Sequence, residues 1–165
     1  MFKHILVPLD GSYLAEAAIP AALELASRFD SKVSLLRVTR TPYVASGLDG
    51  SAYAELIVTL RQQEYDEADE YLKMMQRNLR QQNYMVETYV REGEPVAELI
   101  LDVAQEGGVD TIVMSTHGRG GVSRWVFGSV ADRVLRHADI PVVLIRAKED
   151  VMNWTQPEVA EAAQH

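Results

Sequence analysis

The stretch from Thr111 to Arg146, TIVMSTHGRGGVSRWVFGSVADRVLRHADIPVVLIR, carries the residue types best suited to holding an anion. A short apolar run ends in Ser115-Thr116-His117-Gly118, and Gly128-Ser129 follows at the mouth of a helical pattern. A helix N-terminus presents backbone N–H groups without partners inside the helix, and it carries a partial positive charge. That combination attracts phosphates and carboxylates. Gly118 and Gly128 let main chain come close to phosphate oxygens. Ser129 offers a hydroxyl to the ligand or caps the helix, and Arg119 and Arg124 add charge. The plainer alternative is a tight loop shaped by glycines, with Ser129 only a cap. Five arginines stand against two aspartates between Ser115 and Arg146, on a chain whose formal net charge is −8. A positive island on an acidic protein suits a small anion and argues against nonspecific nucleic-acid binding.

Other chemistries fit less well. A Walker A loop needs a lysine that is absent between Gly118 and Lys148. The dinucleotide fingerprint is nearly present in Gly118-Arg119-Gly120-Gly121-Val122-Ser123, but Ser123 stands where the third glycine belongs. Ser115, His117 and Asp10 could be imagined as a triad, yet no G-x-S-x-G elbow accompanies them, so no catalytic residue is expected. His117 reads as a loop organiser or a phosphate partner. The histidines at 4, 117, 137 and 165 are scattered, without zinc spacing; a Mg²⁺ ion would arrive with phosphates. Trp125 and Phe127 read as core or dimer contacts rather than as base-stacking groups. Asp10 reads as a turn residue capping the first helix, or as a ligand to sugar or metal.

These residues need a scaffold, and the apolar pattern supplies one. Ile5–Leu9, Val33–Val38, Met85–Val90, Thr111–Met114 and Val142–Ile145 are short apolar runs typical of buried parallel strands. Helical spacing runs from Leu14 to about Phe29, with a possible kink at Pro20. A long charged helix follows over about Leu56–Gln82. Pro95 opens a helix that Gly107-Gly108 ends, and Val130–His137 forms the last. Thr41–Ala54 reads as a loop or lid, and residues after Ala147 as a loose tail, giving a domain over 1–147 and a tail over 148–165. Alternating strands and helices imply an α/β fold, a doubly wound five-stranded parallel sheet of order 3-2-1-4-5 with helices on both faces. Its crevice opens at the carboxyl ends of strands one and four, where the winding reverses. Asp10 and the glycine-rich segment would meet there.

The length of 165 residues suits one domain. No apolar run is long enough to span a membrane, and the opening Met1–Pro8 is too short in apolar residues for a signal peptide. With no cysteine in the chain, a cytoplasmic location is expected.

Ser115-Thr116-His117-Gly118, nine residues, then Gly128-Ser129 resembles the nucleotide motif G-x-x-G-(nine)-G-[ST] of the universal stress protein family. Ile5-Leu6-Val7-Pro8-Leu9-Asp10-Gly11-Ser12 resembles that family's first strand and acidic turn. Arg91-Glu92-Gly93-Glu94-Pro95 and Pro141-Val142-Val143-Leu144-Ile145 resemble its third-strand exit and last strand. The resemblance covers residues 2–146. It implies an adenine nucleotide alpha hydrolase-like fold, an ATP-binding subclass, and slow hydrolysis at most. It places Asp10 near ribose and adenine, Pro8 and Val38 as adenine walls, and Met114 beneath the nucleoside. Ser115, Gly118, Gly128 and Ser129 would line ribose and phosphates with Val130 behind, and His117 and Arg119 lie in the same loop. It also implies a homodimer through Val142, Val143, Leu144 and Ile145. The first motif glycine is replaced by Ser115, whose Cβ limits backbone approach. Alternative expectations are an AMP or cyclic AMP binder, an interaction protein without nucleotide, and a phosphate transferase or hydrolase on the same fold. No particular protein partner is indicated.

Overall fold

The computed structural model describes residues 1–40, 50–116 and 128–146. Ten elements follow one another: β1 His4–Leu9, α1 Tyr13–Glu16, α2 Ile19–Phe29, β2 Lys32–Thr39, α3 Gly50–Gln81, β3 Val86–Glu92, α4 Val96–Glu106, β4 Thr111–Ser115, α5 Ser129–His137 and β5 Val142–Ile145. The strands form one parallel sheet in the order β3-β2-β1-β4-β5. This is the doubly wound arrangement that the alternation of elements predicts.

Each face of the sheet has its own apolar layer. Ile5, Val7, Leu9, Val33, Leu35 and Val113 pack with Ile19, Ala22, Leu72, Met75 and Leu79 from α2 and α3. Leu6, Leu36, Ile112 and Met114 pack with Ile100, Val103, Ala131 and Val134 from α4 and α5. Side chains alternate across a strand, so a run such as Ile5-Leu6-Val7 feeds both layers. That explains why β1, β2 and β4 read as continuous apolar runs rather than as alternating ones.

Several local expectations are corrected. The helix expected from Leu14 to Phe29 is two helices, separated at Ala17–Ala18, and Pro20 sits in the first turn of α2 instead of kinking one long helix. In a first turn its missing N–H removes no helical hydrogen bond. Helix α3 begins at Gly50, so the end of the segment expected as loop, 50–54, is helical; residues 41–49 lie outside the described residues. Pro95 is the N-cap of α4, extended at ψ 136°, rather than its first helical residue. Gly108, at φ +61°, follows the end of α4 as expected. The tail over 148–165 also lies outside the described residues.

Candidate functional site

Strands β1 and β4 are neighbours, joined at Ile5–Thr111 and Leu6–Ile112. Their carboxyl ends lie side by side at the point where the winding reverses. Helices leave β1 and β4 toward opposite faces of the sheet, which leaves a crevice between the two exits.

At the first exit the chain turns through Asp10-Gly11-Ser12. Gly11 adopts φ +81°, a conformation costly for any residue with a Cβ. One oxygen of Asp10 accepts from the Ser12 N–H at 2.9 Å and from the Ser12 hydroxyl at 2.6 Å. The Ser12 hydroxyl in turn accepts from the Ala15 N–H at 3.2 Å, capping α1. Asp10 therefore holds the turn together through its carboxylate.

The second exit is built from main chain. Thr116, 5 % exposed, donates its N–H to the Ile145 carbonyl at 2.9 Å and accepts from the Gly128 N–H at 2.8 Å. The N-terminus of α5 is thus fastened to the end of β4. Gly128 is the N-cap of α5, and among the described residues no side chain caps it. Ser129 is the first helical residue and not the cap. The acidic residue of that first turn, Asp132, is bonded to Arg136 at 2.9 Å, one turn along the helix. This bond, with the charge of Arg136, holds the Asp132 carboxyl below its usual range. The intervening His117, Gly118 and Arg119 lie outside the described residues, as do Arg124, Trp125 and Phe127.

Alternation sorts the remaining candidates. Leu6, Leu36 and Ile112 belong to the layer on the α4–α5 side, so Pro8, Val38 and Met114, each two residues further on, sit at the crevice end of that face. Met114 is buried, and Val38 and Val130 pack partly buried against the same layer. Pro8, Val38, Met114 and Val130 thus belong to one apolar side of the site. Ser115 points to the other face and is 6 % exposed. Among the described residues no three His, Asp or Glu side chains converge as a metal site.

Sequence reasoning missed the fastening role of Thr116, since a residue leaving a strand has no distinctive spacing. It also missed Arg37, a charge inside the run Lys32-Val33-Ser34-Leu35-Leu36-Arg37-Val38-Thr39. A charge in a strand covered on both faces is itself a signal.

A doubly wound sheet with a helix N-terminus at its switch point is the architecture of a nucleotide- or anion-binding domain. The chain matches the universal stress protein family over residues 1–146 and belongs to it. It is 33 % identical over 147 residues to universal stress protein MJ0531 of Methanocaldococcus jannaschii, covering 88 % of this chain and 83 % of that one. The solved structure of MJ0577, the subject of a structure-based assignment of biochemical function, superposes with a TM-score of 0.76 at 26 % identity, covering 90 % of this chain and 98 % of that one. Two more distant structures share the fold. One is an Arabidopsis thaliana family member with AMP bound (18 % identity, TM-score 0.63, 93 % and 97 % covered). The other is a universal stress protein in complex with cAMP (19 % identity, TM-score 0.56, 88 % and 98 % covered). No helix among the described residues is long and apolar enough to cross a membrane.

Proposed function

We propose that the protein is an ATP-binding regulatory module of the stress response, acting in the cytoplasm as a homodimer and hydrolysing ATP slowly at most. The observation that carries this reading is the Gly128-to-Thr116 hydrogen bond, which sets the N-terminus of α5, capped by no described side chain, beside the end of β4. First-turn N–H groups placed there suit phosphate oxygens. Pro8, Val38, Met114 and Val130 offer an apolar wall for adenine, and Asp10 lies at the ribose end. Gly118, His117 and Arg119 complete the phosphate loop on the family pattern. Mg²⁺ would come with the phosphates and keep most of its waters. The edge strand β5 supports the dimer: Val142–Ile145 are all apolar and half-buried, and an apolar edge calls for cover.

The reading is tested by calorimetric titration of nucleotide-stripped protein with ATP, with and without Mg²⁺, beside AMP and cyclic AMP. Micromolar ATP binding that AMP cannot match is expected. Equal affinity for ATP and AMP would favour a nucleoside monophosphate sensor, the reading to which the AMP and cAMP complexes of distant relatives lend support. No binding of any of the three would leave a dimeric interaction protein. Sedimentation velocity on the same sample is expected to show a dimer.

A further inference from the structure

Arg37 is the only buried Lys, Arg, Asp or Glu among the described residues, 8 % exposed. It makes no hydrogen bond or ion pair with any described residue. Its guanidinium lies over the Tyr71 ring of α3, 5.2 Å from the centroid. A cation–π contact offsets only part of the cost of taking such a charge out of water. No described side-chain nitrogen is both fully buried and without a hydrogen bond, so the guanidinium keeps some access to solvent while its stem packs between β2 and α3.

Its surroundings point to what the charge does. Arg37 is the register partner of Leu9, and the next residue is Asp10. The two strands are parallel, so the guanidinium lies on the α1–α3 face just beneath the β1–α1 turn. Tyr71 marks the same spot: its hydroxyl donates to Glu16 of α1 at 2.8 Å, and its ionisation feels Arg37, Glu16 and Asp10 together. Burial, followed by the bond to Glu16, pushes the Tyr71 phenol up, so it stays a neutral donor. Among the described residues Arg37 is thus the one positive charge grouped with these two carboxylates, and it forms an ion pair with neither.

We propose that Arg37 is a positioning residue for the nucleoside end of the crevice. Its charge draws on the Asp10 carboxylate from below and fixes the orientation in which Asp10 meets the ligand. The inference rests on the nucleotide reading above. Arg37 touches no ligand itself; it acts through Asp10, and the Tyr71 ring holds it in place.

The test uses the full chain. Arg37→Met removes the charge and keeps the length of the side chain. It is expected to raise the thermal midpoint while weakening adenosine and ATP alike, by about tenfold, the scale of coupling between neighbouring groups. Arg37→Lys restores part of that affinity. Asp10→Asn keeps an acceptor for Ser12 but loses the charge, and Arg37→Met added to it is expected to cost little further affinity. Unchanged affinity in Arg37→Met, or the same loss in both Asp10 backgrounds, would overturn the inference. So would a loss of stability with binding intact, which marks a packing role. Failure of the wild-type protein to bind any adenine compound overturns the nucleotide reading instead, and is seen before any variant is made.

Discussion

The two turns that flank the crevice solve the same problem in opposite ways. Between β1 and α1, three residues suffice, and their polar groups satisfy one another: Asp10 takes the Ser12 N–H and hydroxyl, and Ser12 takes the Ala15 N–H. Between β4 and α5 the end of the strand and the start of the helix are joined by main-chain bonds through Thr116. No described side chain caps α5. The first turn closes its helix terminus with its own residues. At the second, no described side chain takes up the first-turn donors. On the proposed function, an anion is expected at the second turn and the uncharged end of the ligand at the first.

The sharpest way to break this contrast is Gly128→Pro. The φ of Gly128 is −57°, which proline adopts, so the change mainly deletes the N–H that fastens α5 to Thr116. Leaving the buried Thr116 carbonyl short of a donor is expected to cost about 1–3 kcal/mol, read from urea unfolding. ATP affinity should fall at least about tenfold on the same scale, with adenosine affinity changed little. Asp10→Ala acts on the other turn and should weaken adenosine and ATP in equal proportion, with a stability loss of about 1–2 kcal/mol for the two hydrogen bonds from Ser12. If only ATP suffers, the two turns have been assigned the wrong ends of the ligand. Ser12→Ala removes the cap of α1 and is expected to cost about 1 kcal/mol while leaving the ATP-to-AMP affinity ratio unaltered in calorimetry.

The smallest effect lies at the amino end of the sheet, far from both turns. His4 is buried and bonded to Ser34 at 2.7 Å; burial, with Lys32 nearby, holds its imidazole below the usual range. The unfolded chain therefore binds a proton at a higher pH than the native one. Stability is full above the unfolded value of about 6.5 and falls as pH drops below it toward the lower native value. The urea midpoint should be modestly lower at pH 5.5 than at 7.5, and the difference should shrink in His4→Gln. Nucleotide selectivity should not change between the two pH values.

Legibility in the sequence divides along the same line. Sheet order was readable because five apolar runs alternate with helical spacing and crossovers have one hand. Asp10-Gly11-Ser12 was readable as cap chemistry because the contacts that form it are local. Helix breaks were not. Ala17 and Ala18 favour helix, so nothing local in the sequence marks the break between α1 and α2. The start of α3 at Gly50 was hidden by Gly50, Ser51 and Tyr53, weak helix formers that tertiary context overrides. Gly128 and Ser129 are both acceptable caps, so which of them ends the helix depends on the bond to Thr116. Arg37 was visible as a charge in an apolar strand, but its isolation is a fact of three dimensions.

The fastening at Thr116 and Gly128 has a consequence for how such a domain diversifies. The Gly128-to-Thr116 bond ties the helix to the strand between the two residues that border 117–127. Because closure cost grows only slowly with loop length, insertions, deletions and wholesale replacement between those two residues should be tolerated by the fold. A library confined to that segment could then change what the domain binds while the surrounding sheet keeps its architecture.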